Sequence, residues 1–213
     1  MTTEKMNVHQ ALAELKMLDK RIPTEIMNTQ WVVANKHCNT KIGGIPVGEY
    51  VNNTKTQYQK VTDLIRRAEA IKRAVVNSNA VTKISVGGVE YTVAEAIDMK
   101  NISMPRLNDL RNRLANYYRS AEVDADNKNG DMLERRATQH IETLYGKSDV
   151  KGLSEEARKA REQFIEQQTY ELVDPIDAKK EVEMLTERID RFMANVDAAL
   201  STSNALTEIE VIY

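Results

Sequence analysis

Along the chain, long stretches with apolar residues every three or four positions alternate with short stretches where they recur every second position. In "VHQALAELKMLDKRI" the first period sets Val8, Leu12, Leu15, Leu18 and Ile22 on one helical face. Pro23 has no N–H for the preceding turn, which predicts a kink or a restart, and "TEIMNTQWVVANKH" then continues as helix. "NTKIGGIP" is a turn by its paired Gly and its Pro. The helical period returns from Val47 to Asn77 through Tyr50, Tyr58, Val61, Leu64, Ala68, Ile71 and Val75. "TKISV" and "VEYTV" alternate around Gly87-Gly88, which predicts a hairpin with a two-residue turn over residues 82–92.

Thr92 with Glu95 forms a capping box and starts a helix that carries Ala96, Ile97, Leu107, Leu110, Leu114 and Tyr117 or Tyr118, with Pro105 marking a break or kink within it. "EVDADNKNGD" is the most linker-like stretch. Two short helices follow, one closed by Gly146 and one opened by Ser154, so residues 121–168 form a polar helical insertion in a single helical domain spanning 1–213. "TYELVDP" is expected to be a strand ended by Pro175. Asp177 caps the last helix, whose seam is Val182, Leu185, Ile189, Phe192, Val196 and Leu200, and the chain ends as strand over 207–213.

One phrase occurs twice, "SNAVTKISV" at Ser78 to Val86 and "SNALTEIEV" at Ser203 to Val211. A shift of 125 residues also matches Leu64 with Ile189, Ile71 with Val196 and Val75 with Leu200. Both long helices are thus expected to end at Ser-Asn-Ala, with Asn79 free to take the left-handed C-terminal conformation, and a strand to begin at the Thr. The two strands are expected to share one small sheet, giving a mainly α fold with a small β-sheet (α+β) organised by long antiparallel amphipathic helices.

Composition narrows the function. The net charge of −2 offers no electropositive field for nucleic acid, and no apolar run is long enough for a membrane span. With one cysteine, Cys38, the chain holds no internal disulfide or thiolate-rich metal site, and no secretory signal opens it, so a cytoplasmic protein is expected. His9, His37 and His140 lie in separate segments, and no hydrolase, Walker, zincin or dinucleotide-binding motif occurs, so no catalytic residue, metal or cofactor is expected. "DADNKNGDMLE" lacks the Gly and the Glu that a calcium loop needs.

At several points the chain resembles the septicolysin-like family of small bacterial and phage proteins. The likeness lies in "ALAELKMLDKRI", in "LIRRAEAIKRAVVNSNAVT" followed by "YTVAEAIDMKNI", and in "YELVDPIDAKKEVEMLTERIDRFMANVDAALSTSNALTE". It covers nearly everything outside residues 121–165 and implies a helical, oligomeric protein without a catalytic signature.

Ligand contact is best served by "PRLNDLRNRLANYYRS". Arg106, Arg113 and Tyr117 share a helix face beside the leucines, and two guanidinium forks with an aromatic ring can hold a phosphate-bearing group. The same arginines also suit a solvated face paired to Asp109 or nearby Glu. Trp31 is a packing anchor or a ligand platform, and Asn79 with Asn204 could line a shared pocket if the two corners meet. The expected function is a non-enzymatic, homo-oligomeric, phage-encoded binding protein that sequesters a small anionic, nucleotide-type ligand. The alternatives are a structural or assembly protein and a membrane-acting toxin.

Overall fold

The computed structural model describes residues 2–146 and 152–213, and it is mainly helical with small two-stranded antiparallel sheets. The elements are β1 (Thr3–Asn7), α1 (Val8–Met27), β2 (Lys41–Ile42), β3 (Ile45–Pro46), α2 (Val47–Val81), β4 (Lys83–Val86), β5 (Val89–Thr92), α3 (Val93–Asp98), a π-helical turn (Met99–Ser103), α4 (Met104–Asn129), α5 (Asp131–Tyr145), α6 (Glu155–Gln168), α7 (Ala178–Leu206) and β6 (Glu208–Ile212). They form two compact units: Met1–Asn101 with Arg191–Tyr213, and Ile102–Asp190.

In the first unit α2 packs against α1, β6, α3 and β5. Its Ile71 and Val75 join Met6, Val8, Ala11, Leu18, Ile209 and Val211 in one core, flanked by Leu15, Ile22, Leu64 and Ala68. Each fully buried Val or Ile there is worth about 1.5–3 kcal/mol. Around the other ribbon, Val86, Val93, Ala96, Phe192 and Val196 are buried, and Tyr91 meets the Phe192 ring edge-on at 5.7 Å. Gly87 and Gly88, with φ of 58° and 85°, make the β4–β5 turn.

The predicted common sheet does not form, because each strand takes a different partner. β4 pairs with β5 (Lys83↔Thr92 to Val86↔Val89), and β6 pairs with β1 (Thr3↔Ile212 to Asn7↔Glu208). Nor do the helices stop at Ser-Asn-Ala. Asn79 and Asn204 remain helical, α2 and α7 continue to Val81 and Leu206, and each strand starts one residue after its Thr. The exits are set by Thr82 and Thr207. Thr82 leaves the helix with φ −71° and ψ 124°, its N–H still donating to Ser78 O. Thr207 N–H donates likewise to Ser203 O at 2.8 Å, and in both corners the Ser and Thr hydroxyls approach one another, at 3.3 and 3.5 Å.

The equivalence extends further than the quoted phrase. In each corner the Thr carbonyl accepts the N–H of the first residue of another helix: Val93 donates to Thr82 O at 2.9 Å and Val8 to Thr207 O at 3.0 Å. Both of those helices open with a capping box. In α3, Glu95 N–H donates to Thr92 Oγ1 while Thr92 N–H donates to Glu95 Oε2; in α1, Asn7 and Gln10 do the same. Cap, Val, any residue, Gln or Glu, then Ala therefore recurs, with Ala11 and Ala96 both wholly buried.

Four other expectations differ from the fold. α1 runs through Pro23 and ends at Met27, so residues 29–36 are not helical; Asn28 N–H donates to Thr24 O and the Trp31 indole donates to Ile26 O, which satisfies carbonyls of the last turn. The linker-like "EVDADNKN" is the C-terminal part of α4, supported by an Asp124–Lys128 pair one turn apart. Residues 169–174 form no strand. Asn129 instead clasps Tyr170, accepting its N–H and donating to its carbonyl, while Lys128 lies over the Tyr170 ring. Asp174, rather than Asp177, accepts the Ala178 N–H at the start of α7; Asp177 has φ 54°. The helix ends at Gly146 (φ 66°) and Ser154 fall where the pattern puts them. Residues 147–151 of the predicted insertion lie outside the described residues.

Candidate functional site

In the second unit, 26-residue α4 has one buried side chain, Met104. Leu107, Leu114 and Tyr118 are half-buried, whereas Leu110 is 48% and Tyr117 72% exposed. Arg106 and Arg113 stand exposed beside this stripe, and neither is in an ion pair with a described residue. The expected face of Arg106, Arg113 and Tyr117 thus exists, and of these three residues Tyr117 lines a groove. The groove against it, about 300 Å³, is apolar: Leu114, Tyr117, Tyr118 and Ala121 face Leu172, Val173 and Ile176.

The first unit brings the two corners together. A cleft of about 540 Å³ is lined by Thr82, Lys83, Ile84 and Ser85 from one corner and by Ser203, Leu206 and Thr207 from the other, with Asn195, Ala198, Ala199 and Thr202 as its helical wall. Asn79 and Asn204, half-buried on their helices, are not part of this lining. The hydroxyls of Thr82, Ser203 and Thr207 are held in the Ser–Thr contacts of the corners, and Lys83 is paired with Glu90 at 2.7 Å, so the cleft presents a neutral surface.

A second cleft, about 490 Å³, lies between the end of α1 and the start of α2, lined by Glu25, Asn28, Gln30, Tyr50, Asn53 and Gln57 among others. Its carboxylate is occupied. Lys60 donates to Glu25 Oε1 at 2.8 Å and Gln57 to Oε2 at 2.6 Å, and these bonds hold the Glu25 carboxyl below its ordinary range. Trp31 stands outside this lining; half-buried, it meets Tyr58 edge-on at 6.3 Å, a packing contact.

The strongest charged cluster was not read from the sequence. Arg67 of α2 donates through Nε and Nη2 to Glu14 and through Nη2 to Glu4 at 2.9 Å, and it also reaches the hydroxyl of Tyr213 while lying over that ring at 4.8 Å. The Glu14 carboxylate is the main reason that the guanidinium holds its proton more tightly than usual. Glu4, Glu14, Arg67 and Tyr213 meet here from separate parts of the chain, and no spacing along the sequence links them.

Among the described residues no group of three His, Cys, Asp or Glu side chains is placed to hold a metal ion, and Cys38 is exposed. No helix among them is long and apolar enough to cross a membrane. No family model, no curated protein and no solved structure matches this chain.

Proposed function

We propose that the chain is a non-enzymatic, homo-oligomeric binding protein that sequesters a small anionic, nucleotide-type ligand between helices of neighbouring copies. The observation that carries this reading is α4, which exposes Leu110 and Tyr117 on one face of a helix with a single buried residue. A helix of that length takes most of its stability from packing, so a face this bare calls for a partner. Antiparallel pairing of two α4 helices about Asp109 and Leu110 sets Arg106 opposite Arg113 of the partner subunit. Two guanidiniums at one level repel unless an anion bridges them, and a phosphate-bearing ligand with a ring for Tyr117 meets that need. The septicolysin-like motifs support an oligomeric protein without catalysis, and a phage origin and a cytoplasmic location go with the capture of a host signal.

Light scattering at micromolar concentration tests the assembly, and calorimetry against a nucleotide panel tests capture. The reading expects an oligomer, heat with at least one nucleotide, and loss of that heat in Arg113→Ala. A strict monomer overturns it. An oligomer that takes no nucleotide favours assembly alone, a reading supported by the exposure of Met132, Leu144 and Val173 in the same unit.

A further inference from the structure

α5 and α6 pack on one another around Ile141, Leu153 and Ala157, with Ala160 beside them. At the margin of this seam, Arg136 is half-buried, and its Nε and Nη2 are shielded from solvent without an acceptor. Across the pair, Arg161 gives Nη2 to Glu134 while its Nε is likewise buried without an acceptor. Buried side-chain donors lacking a partner among the described residues are thus all guanidinium N–H groups, and all belong to this one helix pair.

Their identity matters more than their number. Nε–H and Nη2–H lie on one edge of the guanidinium, parallel and spaced to meet two oxygens of the same oxyanion. A buried cationic donor without an acceptor is destabilising, so a fold that keeps this edge away from water gains from an anion that meets it. His140, one turn along the same helix face, stacks on Phe164 at 4.4 Å with 22° between the rings, so a second N–H-bearing side chain is held on that face. Neither Glu134, which is given to Arg161, nor any other carboxylate among the described residues reaches the Arg136 edge.

We propose that the Nε/Nη2 edge of Arg136, flanked by His140, is an oxyanion site on the α5–α6 pair that takes a phosphate-type group. The site shares its ligand class with the function proposed above and rests on that reading for it, but it uses none of the α4 residues.

The test is titration of the full-length protein with pyrophosphate, following the side-chain Nε–H resonance of Arg136 by NMR together with the melting temperature. The resonance is expected to move in a saturable way in the wild type and equally in the double variant Arg106→Gln, Arg113→Gln. In Arg136→Gln the thermal response is expected to weaken at least tenfold. If Arg136→Gln folds poorly, Arg136→Lys keeps the charge but loses the edge, and is expected to lose most of the response. A wild-type Arg136 resonance that stays fixed overturns the site, as does a thermal response that survives both substitutions. Loss of the response only in the α4 double variant assigns the anion to α4 and overturns this site while sparing the function proposed above.

Discussion

Replacing Arg67 with Met tests whether the first unit is held by its charged clamp as well as by its core. Arg67 and Glu14 keep 22% and 23% of their side-chain surface exposed, so their bond lies between a surface pair worth at most about 1 kcal/mol and a buried pair whose breaking costs about 3–5 kcal/mol. Half-burial sets the Glu14 contribution at about 2 kcal/mol. Stacking over Tyr213 adds about 0.5–1 kcal/mol. Glu4, 44% exposed, adds little. Met keeps the apolar stem, so the loss is electrostatic, about 2–4 kcal/mol in all, or a fall in melting temperature of about 5–15 °C for a chain of this size. Urea denaturation followed by circular dichroism measures it. Glu14→Gln is expected to cost more than half as much as Arg67→Met, and Glu4→Gln less than about 1 kcal/mol. If Arg67→Met changes stability by under about 0.5 kcal/mol, or if Glu4→Gln costs more than Glu14→Gln, the clamp is ornamental and burial of Ile71, Val8 and Val211 carries the unit alone.

Three further outcomes are expected. Gly87→Ala places a Cβ 2.8 Å from Arg191 Cγ and 3.1 Å from Arg191 O at a φ of 58°, whereas Gly88→Ala meets nothing within 4 Å; both lower the melting temperature, the first by clearly more. The backbone N–H of Thr92, and then its hydroxyl, hold the Glu95 carboxyl below its ordinary 4.5. The capping box is therefore fully present above that pH and fades as pH falls through the lower folded value, so amide exchange at the start of α3 accelerates in acid, and Glu95→Gln removes that pH dependence. Asn129→Ala removes two hydrogen bonds to the Tyr170 backbone and is expected to raise proteolysis within residues 169–176 without altering the melting of the first unit, which limited proteolysis reads directly.

The sequence makes legible whatever depends on local chemistry. Thr92-Glu95, Gly87-Gly88, Gly146 and Ser154 each act through backbone groups within a turn of themselves, and each lies where its residue type requires. What fails is whatever depends on a distant partner. "TYELVDP" has strand composition, but a strand needs an edge, and Asn129 takes Tyr170 instead. "TQWVVANK" continues a helical pattern on paper, yet Trp31 gains more by returning its N–H to Ile26 O than by extending α1. On α4, spacing alone aligned Arg106, Arg113 and Tyr117, while the Arg67 clamp joins residues up to 146 positions apart and left no periodic trace.

The two corners show how far a repeated phrase can be taken. In one, helix, Thr82, strand, Gly87-Gly88, strand and capped helix follow in chain order. In the other, the same parts arrive from opposite ends: α7, Thr207 and β6 from one side, β1, Asn7 and α1 from the other. Thr2 and Tyr213 exchange both backbone hydrogen bonds, at 2.8 and 3.1 Å, so the ends stand where a two-residue turn would join them. The equivalence makes a strong prediction. A permuted chain that links Tyr213 to Thr2 through Gly-Gly and opens between Gly87 and Gly88 trades one ribbon turn for the other. It is expected to keep its helical circular dichroism and to melt within about 10 °C of the parent, since each swap changes loop closure by only about 1–2 kcal/mol. Aggregation or loss of cooperative melting in that permutant, with the linked but unopened circle still folded, would mean that Arg191 at Gly87 makes the internal turn indispensable and that the corners are alike in shape but not in duty.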